Sequence, residues 1–99
     1  MKMKMKVFKY PLEVRSNVLT VPFGAQILSV GQQDGQLCLW ALVNPAERDV
    51  QIEITVVGTG WDITGDPVQR ADSFLGTVQV GAFVWHVFDT TLEAARDAN

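Results

Sequence analysis

Apolar and polar residues alternate with a period of two along nearly all of this chain, the spacing of half-buried β-strands. The plainest case is "RDVQIEITVV". There Val50, Ile52, Ile54 and Val56 fall on one face and Gln51, Glu53 and Thr55 on the other, a strand with one wet face. Alternation from Lys4 to Tyr10 stops at Pro11, which cannot donate to a ladder and so ends the strand or sits on an edge. A shorter strand, "SNVLTVP" over 16–22, closes at Pro22, and Phe23-Gly24 turns the chain. "QILSVGQQDGQLCLWALV" holds two β-rich runs around Asp34-Gly35. That pair suits a type I′ hairpin, whose two central residues both need positive φ. Asn44-Pro45-Ala46-Glu47 reads as a loop, and "FLGTVQVGAFVWHVFD" as a second hairpin turning near Val80-Gly81. The tail over 90–99 opens with Thr90-x-x-Glu93, a capping-box pattern for two helical turns. The expected fold is all-β: one domain over 1–99, a small antiparallel β-sandwich or barrel of about seven strands with a short C-terminal helix. Met1, Met3 and Met5 are each candidate starts, so 1–4 reads as an N-terminal extension.

Two strands lack a polar face. In 37–42 one side carries Leu37, Leu39 and Ala41 and the other Cys38, Trp40 and Leu42. In 83–88 one side carries Phe83, Trp85 and Val87 and the other Val84, His86 and Phe88. A sheet of a two-layer sandwich buries one face and shows the other to water. The pattern therefore predicts that the tail helix, the 58–73 loop or another protein chain covers the second faces. Leaving Trp40 or Phe88 exposed would forgo about 1.5–3 kcal/mol each. An uncovered patch of such residues marks an interaction surface, so self-association or partner binding through one sheet face is expected.

Composition narrows this further. With 47% hydrophobic and 19% charged residues the chain is globular, and at 99 residues it should bury about two-thirds of its unfolded surface. No apolar run approaches the ~18 residues of a membrane span, and Lys2, Lys4 and Lys6 interrupt any signal-peptide core. A cytoplasmic location without membrane contact is the expectation. Cys38 has no partner cysteine for an internal disulfide, which fits a reducing compartment. All four lysines lie in the first nine residues, and the rest of the chain sets four arginines against eleven carboxylates, a balance of −7. That body repels phosphate backbones, so nucleic-acid binding is not expected. The lysine ladder reads as protection of an exposed sheet edge.

Candidate chemistry is sparse. His86 is the only histidine; with one histidine and one cysteine, a metal site would have to rest on carboxylates. It reads first as a structural imidazole with satisfied nitrogens, and second as a ligand or partner contact. Cys38 has no basic neighbour to lower its pKa and reads as packing. Gly58-Thr59-Gly60 opens the long irregular stretch to Ser73. It reads as a strand-ending turn, with an anion-binding nest of N–H groups as the alternative. It lacks the residues of a dinucleotide fingerprint or P-loop. Asp62, Asp66 and Asp72 fit no calcium-loop spacing and serve turns. Arg70, with Thr59 and Trp61, is a candidate grip on a small anion by stacking and a guanidinium fork. No catalytic residue, metal ligand or cofactor is assigned. The candidate ligand- or partner-binding set is Trp40, Gly58, Thr59, Gly60, Trp61, Arg70, Trp85, His86 and Phe88.

The blocks "KVFKYPLEV", "GAQILSV", "LCLWALV", "VVGTG", "FLGTVQ" and "FVWHVF", in this order from Met5 to Asp89, resemble a family of small phage and prophage proteins of unknown function. In those proteins Gly-Thr-Gly is often followed by His-Pro; Trp61-Asp62 stands here instead, which weakens any site carried over to that position. The resemblance implies no activity, only a setting: an accessory protein inside an infected bacterial cell. The leading expectation is a non-enzymatic protein that engages a host protein, as in counter-defence, or another copy of itself through an apolar sheet face. A second is a small-molecule binder that sequesters an anionic or nucleotide signal at the 58–70 loop. A third is a minor structural part of the virion.

Overall fold

A computed structural model of the chain describes residues 4–63 and 73–91. Seven antiparallel strands form two sheets: β1 (Lys6–Pro11), β2 (Arg15–Pro22), β3 (Gln26–Gln33), β4 (Gln36–Val43), β5 (Asp49–Gly58), β6 (Phe74–Val80) and β7 (Phe83–Asp89). One sheet has the order β1-β4-β3 and the other β2-β5-β7-β6. The two sheets stack as a sandwich. Leu39, Val43, Ile54, Val56 and Val87, all completely buried, fill the space between them. Burial of that apolar surface is the main force holding the layers together.

The local rules place the turns. Asp34 (φ 53°) and Gly35 (φ 80°) both take positive φ, as the type I′ connection of β3 to β4 requires. The β6–β7 connection turns at Gly81-Ala82, one residue beyond the expected site, and there Gly81 has φ 59°. In the loop after β4, Asn44 accepts from the Ala46 N–H through its side chain (3.1 Å) and from the Glu47 N–H through its carbonyl (3.1 Å). β1 lies at a sheet edge, with Lys4, Lys6 and Lys9 exposed.

The chain passes between sheets through residues 12–14. Leu12 is buried, and its N–H donates to the Leu37 carbonyl at 2.9 Å. Asn17, also buried, fastens the next turn. Its Oδ1 accepts from the Glu13 N–H at 2.8 Å, and its Nδ2 donates to the carbonyls of Glu13 (2.9 Å), Ile54 (3.2 Å) and Arg15 (3.3 Å). The sheets come closest along β3 and β6. A Cβ on Gly76 would lie 2.6 Å from Val30 Cγ2, so only glycine allows this approach.

The structure bears on two further expectations. The predicted C-terminal helix falls mostly on 92–99, outside the described residues, and no α-helix occurs among the described ones. The Thr90 hydroxyl, expected to cap that helix, instead bonds the Glu53 carboxylate (2.8 Å) and the Thr55 hydroxyl (2.8 Å). The Glu53 N–H donates to Thr91 Oγ1 at 2.8 Å, so both threonines tie the chain to β5. The second expectation concerns the strands without a polar face. β4 and β7 are interior strands of their sheets, and lateral neighbours do part of the covering. Cys38 is buried between Pro11 and Gly31, beneath a hydrogen bond from Lys9 Nζ to Gln33 Oε1 (2.9 Å) that spans β4. Trp40 rests on Gly31, where a Cβ would lie 3.3 Å from its ring. Covering is incomplete: Trp40, Leu42 and Phe88 are half-buried, and Phe83 and Val84 are exposed.

Candidate functional site

The strand register collects most of the expected site residues at one end of the four-stranded sheet. β5 runs out at Gly58, which pairs with Trp85. The chain then turns back, with the Trp61 N–H donating to the Gly58 carbonyl at 3.2 Å and Gly60 at φ 86°. Positive φ at the third position marks a type II turn. Gly58-Thr59-Gly60 therefore ends a strand, and the Trp61 N–H is used inside the turn. This turn lays the Trp61 indole on Gly58, where a Cβ would come within 2.8 Å of the ring. Trp61 meets Trp85 edge to face (centroids 5.5 Å apart, 81°), and Trp85 stacks on Phe83 (5.8 Å, 22°). The Arg15 guanidinium lies over Trp61, 4.5 Å from the ring centre.

On the other side of the same sheet end, His86 is held at both nitrogens. Nε2 is 2.7 Å from Thr59 Oγ1 and Nδ1 is 3.0 Å from Thr77 Oγ1. A hydroxyl donates or accepts as required, so a neutral imidazole of either tautomer is satisfied. Threonine hydroxyls occupy both positions. The geometry is that of a structural cross-brace between β6, β7 and the turn.

Of the expected set, Gly58, Thr59, Gly60, Trp61, Trp85 and His86 come together. Trp40 lies on the other sheet, on its outward side. Phe88 packs edge to face with Phe74, 5.5 Å away on the outer side of β7. Arg70 lies outside the described residues. Arg15, Phe83 and Thr77 complete the cluster without having been expected. Phe83 was legible, since it shares the alternation of Trp85. Arg15 carried no local signal, because only the β2–β5 register brings it opposite Val56, near Trp61.

A separate groove of about 620 Å³ opens between the sheets where β2 turns into β3. Val21, Ile27, Val50, Ile52 and Leu75 line it, with Asp89 among them. Among the described residues no helix is long and apolar enough to cross a membrane.

The fold and these sites define a two-sheet β-sandwich protein with an aromatic cluster at one sheet end. Residues 3–98 match DUF7352, a domain of unknown function, and the chain belongs to that family. No curated protein and no solved structure matches it.

Proposed function

We propose that this protein acts by binding rather than catalysis, and that the outer side of the β1-β4-β3 sheet receives a protein partner. The observation that carries the reading is an uncovered apolar face. Val7 (55% exposed) and the half-buried Trp40 and Leu42 share it, and Leu28 (53% exposed) adjoins it at the bulge in β3. Contiguous exposed apolar surface of this kind is where proteins dock. None of the three strands contains a carboxylate, whereas Lys9 of β1 shares the face with Val7, opposite Trp40. The partner is therefore a protein with an apolar centre and an acidic border, matched to the basic rim. The resemblance to small phage and prophage proteins supports a host protein in that role and an accessory function inside an infected cell. The brace around His86, with no carboxylate among its hydrogen bonds, supports a non-enzymatic reading.

The test combines host-lysate capture with light scattering, using Val7→Asp and Leu28→Asp, which alter exposed positions only. The expected result is one retained protein that both aspartate variants release and that Lys9→Glu binds more weakly. A second copy of the chain as occupant would instead appear as a dimer abolished by the same substitutions. Wild type and Val7→Asp behaving identically in both measurements would overturn the proposal.

A further inference from the structure

The cluster around Trp61 is independent of the docking face and contains one of two non-glycine residues with positive φ among the described residues. Arg15 sits at φ 78°, a conformation that non-glycine residues adopt at a cost and that tends to persist at functional sites. Its surroundings over-determine it: Asn17 grips the turn over 13–17 from inside, and Trp61 packs against the guanidinium. Stacking occupies the flat face of a guanidinium and leaves its in-plane N–H donors free. Those donors make no hydrogen bond or ion pair with the described residues, including Glu13, two positions away, and Asp62, next to Trp61. Arg15 is thus an exposed, oriented cation that meets no carboxylate among the described residues.

The rings continue away from it. Trp61 leads to Trp85 and Trp85 to Phe83, each step under 6 Å between centroids. Phe83 is 65% exposed, an unusual placement for a phenyl ring stacked on a core tryptophan. An exposed aromatic ring at one end of a row and a cation at the other supply the two chemistries that hold a nucleobase and its phosphates.

We propose that Arg15, Trp61, Trp85 and Phe83 form a binding site for a nucleoside oligophosphate, with the base on Phe83 and a terminal phosphate on the edge of Arg15. The two indoles between Phe83 and Arg15 require a ligand whose ring and anion are held apart by a linker, which excludes a small aromatic carboxylate. The net −7 of the chain beyond its lysine-rich start works against a long polyanion and favours a single compact ligand. Arg15 would supply a guanidinium contact of the kind expected of Arg70, which lies outside the described residues.

Calorimetric titration and thermal shift on the whole protein test this with ATP, adenosine and tripolyphosphate as probes. ATP is expected to bind saturably at one site and raise the melting temperature, with adenosine and tripolyphosphate each weaker by about tenfold or more. Phe83→Ala, at an exposed position, and Arg15→Gly each lose about tenfold in ATP affinity. Arg15→Gly keeps its melting temperature within a few degrees, because release of the left-handed strain offsets the lost stack. Trp40→Ala, on the other sheet, binds ATP as wild type does whatever becomes of the protein partner. Absence of saturable ATP binding would overturn the site, as would tripolyphosphate binding as tightly as ATP, or wild-type affinity in both Phe83→Ala and Arg15→Gly.

Discussion

Replacing Asn17 should expose how the two sheets are joined. Its side chain is buried and serves one donor and three carbonyls around the turn over 13–17 and on β5. An amide has two N–H groups, so the 3.3 Å contact to Arg15 is the weak branch of a shared bond, and about three effective bonds remain. At about 1 kcal/mol each, Asn17→Ala should cost near 3 kcal/mol, most of it from backbone groups left without a partner. For a domain of this size that lowers the melting temperature by ~12–24 °C. Asn17→Asp is the sharper variant. It keeps the acceptor for the Glu13 N–H but points a carboxylate at three carbonyl oxygens, so it should be at least as damaging as alanine at neutral pH. Urea unfolding followed by circular dichroism gives both values from the shift in midpoint at constant slope. A loss below about 1 kcal/mol for alanine, or wild-type stability for aspartate, would refute the argument that this amide fastens the crossing.

Two further outcomes are expected. Gly76→Ala puts a Cβ 2.6 Å from Val30 Cγ2 and should destabilise by about 1–3 kcal/mol through overpacking; adding Val30→Ala should restore part of that loss in a double-mutant cycle. Burial, and then the Asp49 carboxylate, raise the pKa of Tyr10 above its ordinary 10.0. The folded chain therefore holds the phenolic proton more tightly than the unfolded chain, and stability should fall as pH rises beyond 10. Unfolding midpoints measured through that range should decline less steeply in Tyr10→Phe, and equal slopes would contradict the assignment.

Seven strands and their turns could be read from the chain because both signals are local. Alternation in 50–56 reports one buried face wherever the strand is placed, and Asp34-Gly35 sets its own turn through backbone sterics. The missing polar faces of β4 and β7 were legible for the same reason. Their apolar second faces looked like a demand for a third layer. Around β4, Pro11, Gly31 and the Lys9 to Gln33 bond supply part of the cover laterally, while Trp40 and Leu42, and Phe88 on β7, stay half-buried. Thr90 shows what spacing does not carry: its hydroxyl bonds Glu53 and Thr55, distant in sequence, while Glu93 lies outside the described residues.

The candidate site divides along the same line. Gly58, Trp61, Trp85 and His86 were visible as unusual residues in an apolar chain, and Phe83 followed from the parity of its strand. What they touch was decided only by strand order and register. Thr77 and Thr59 meet His86 because β6 lies against β7 and β5 ends beside it. Arg15 reaches Trp61 because β2 pairs with β5. Side-chain alternation is a property of each strand by itself, whereas pairing partners depend on the free energy of the whole sandwich. The sequence alone therefore determined the strands and their buried faces, and tertiary packing decided which cation stands beside the exposed rings.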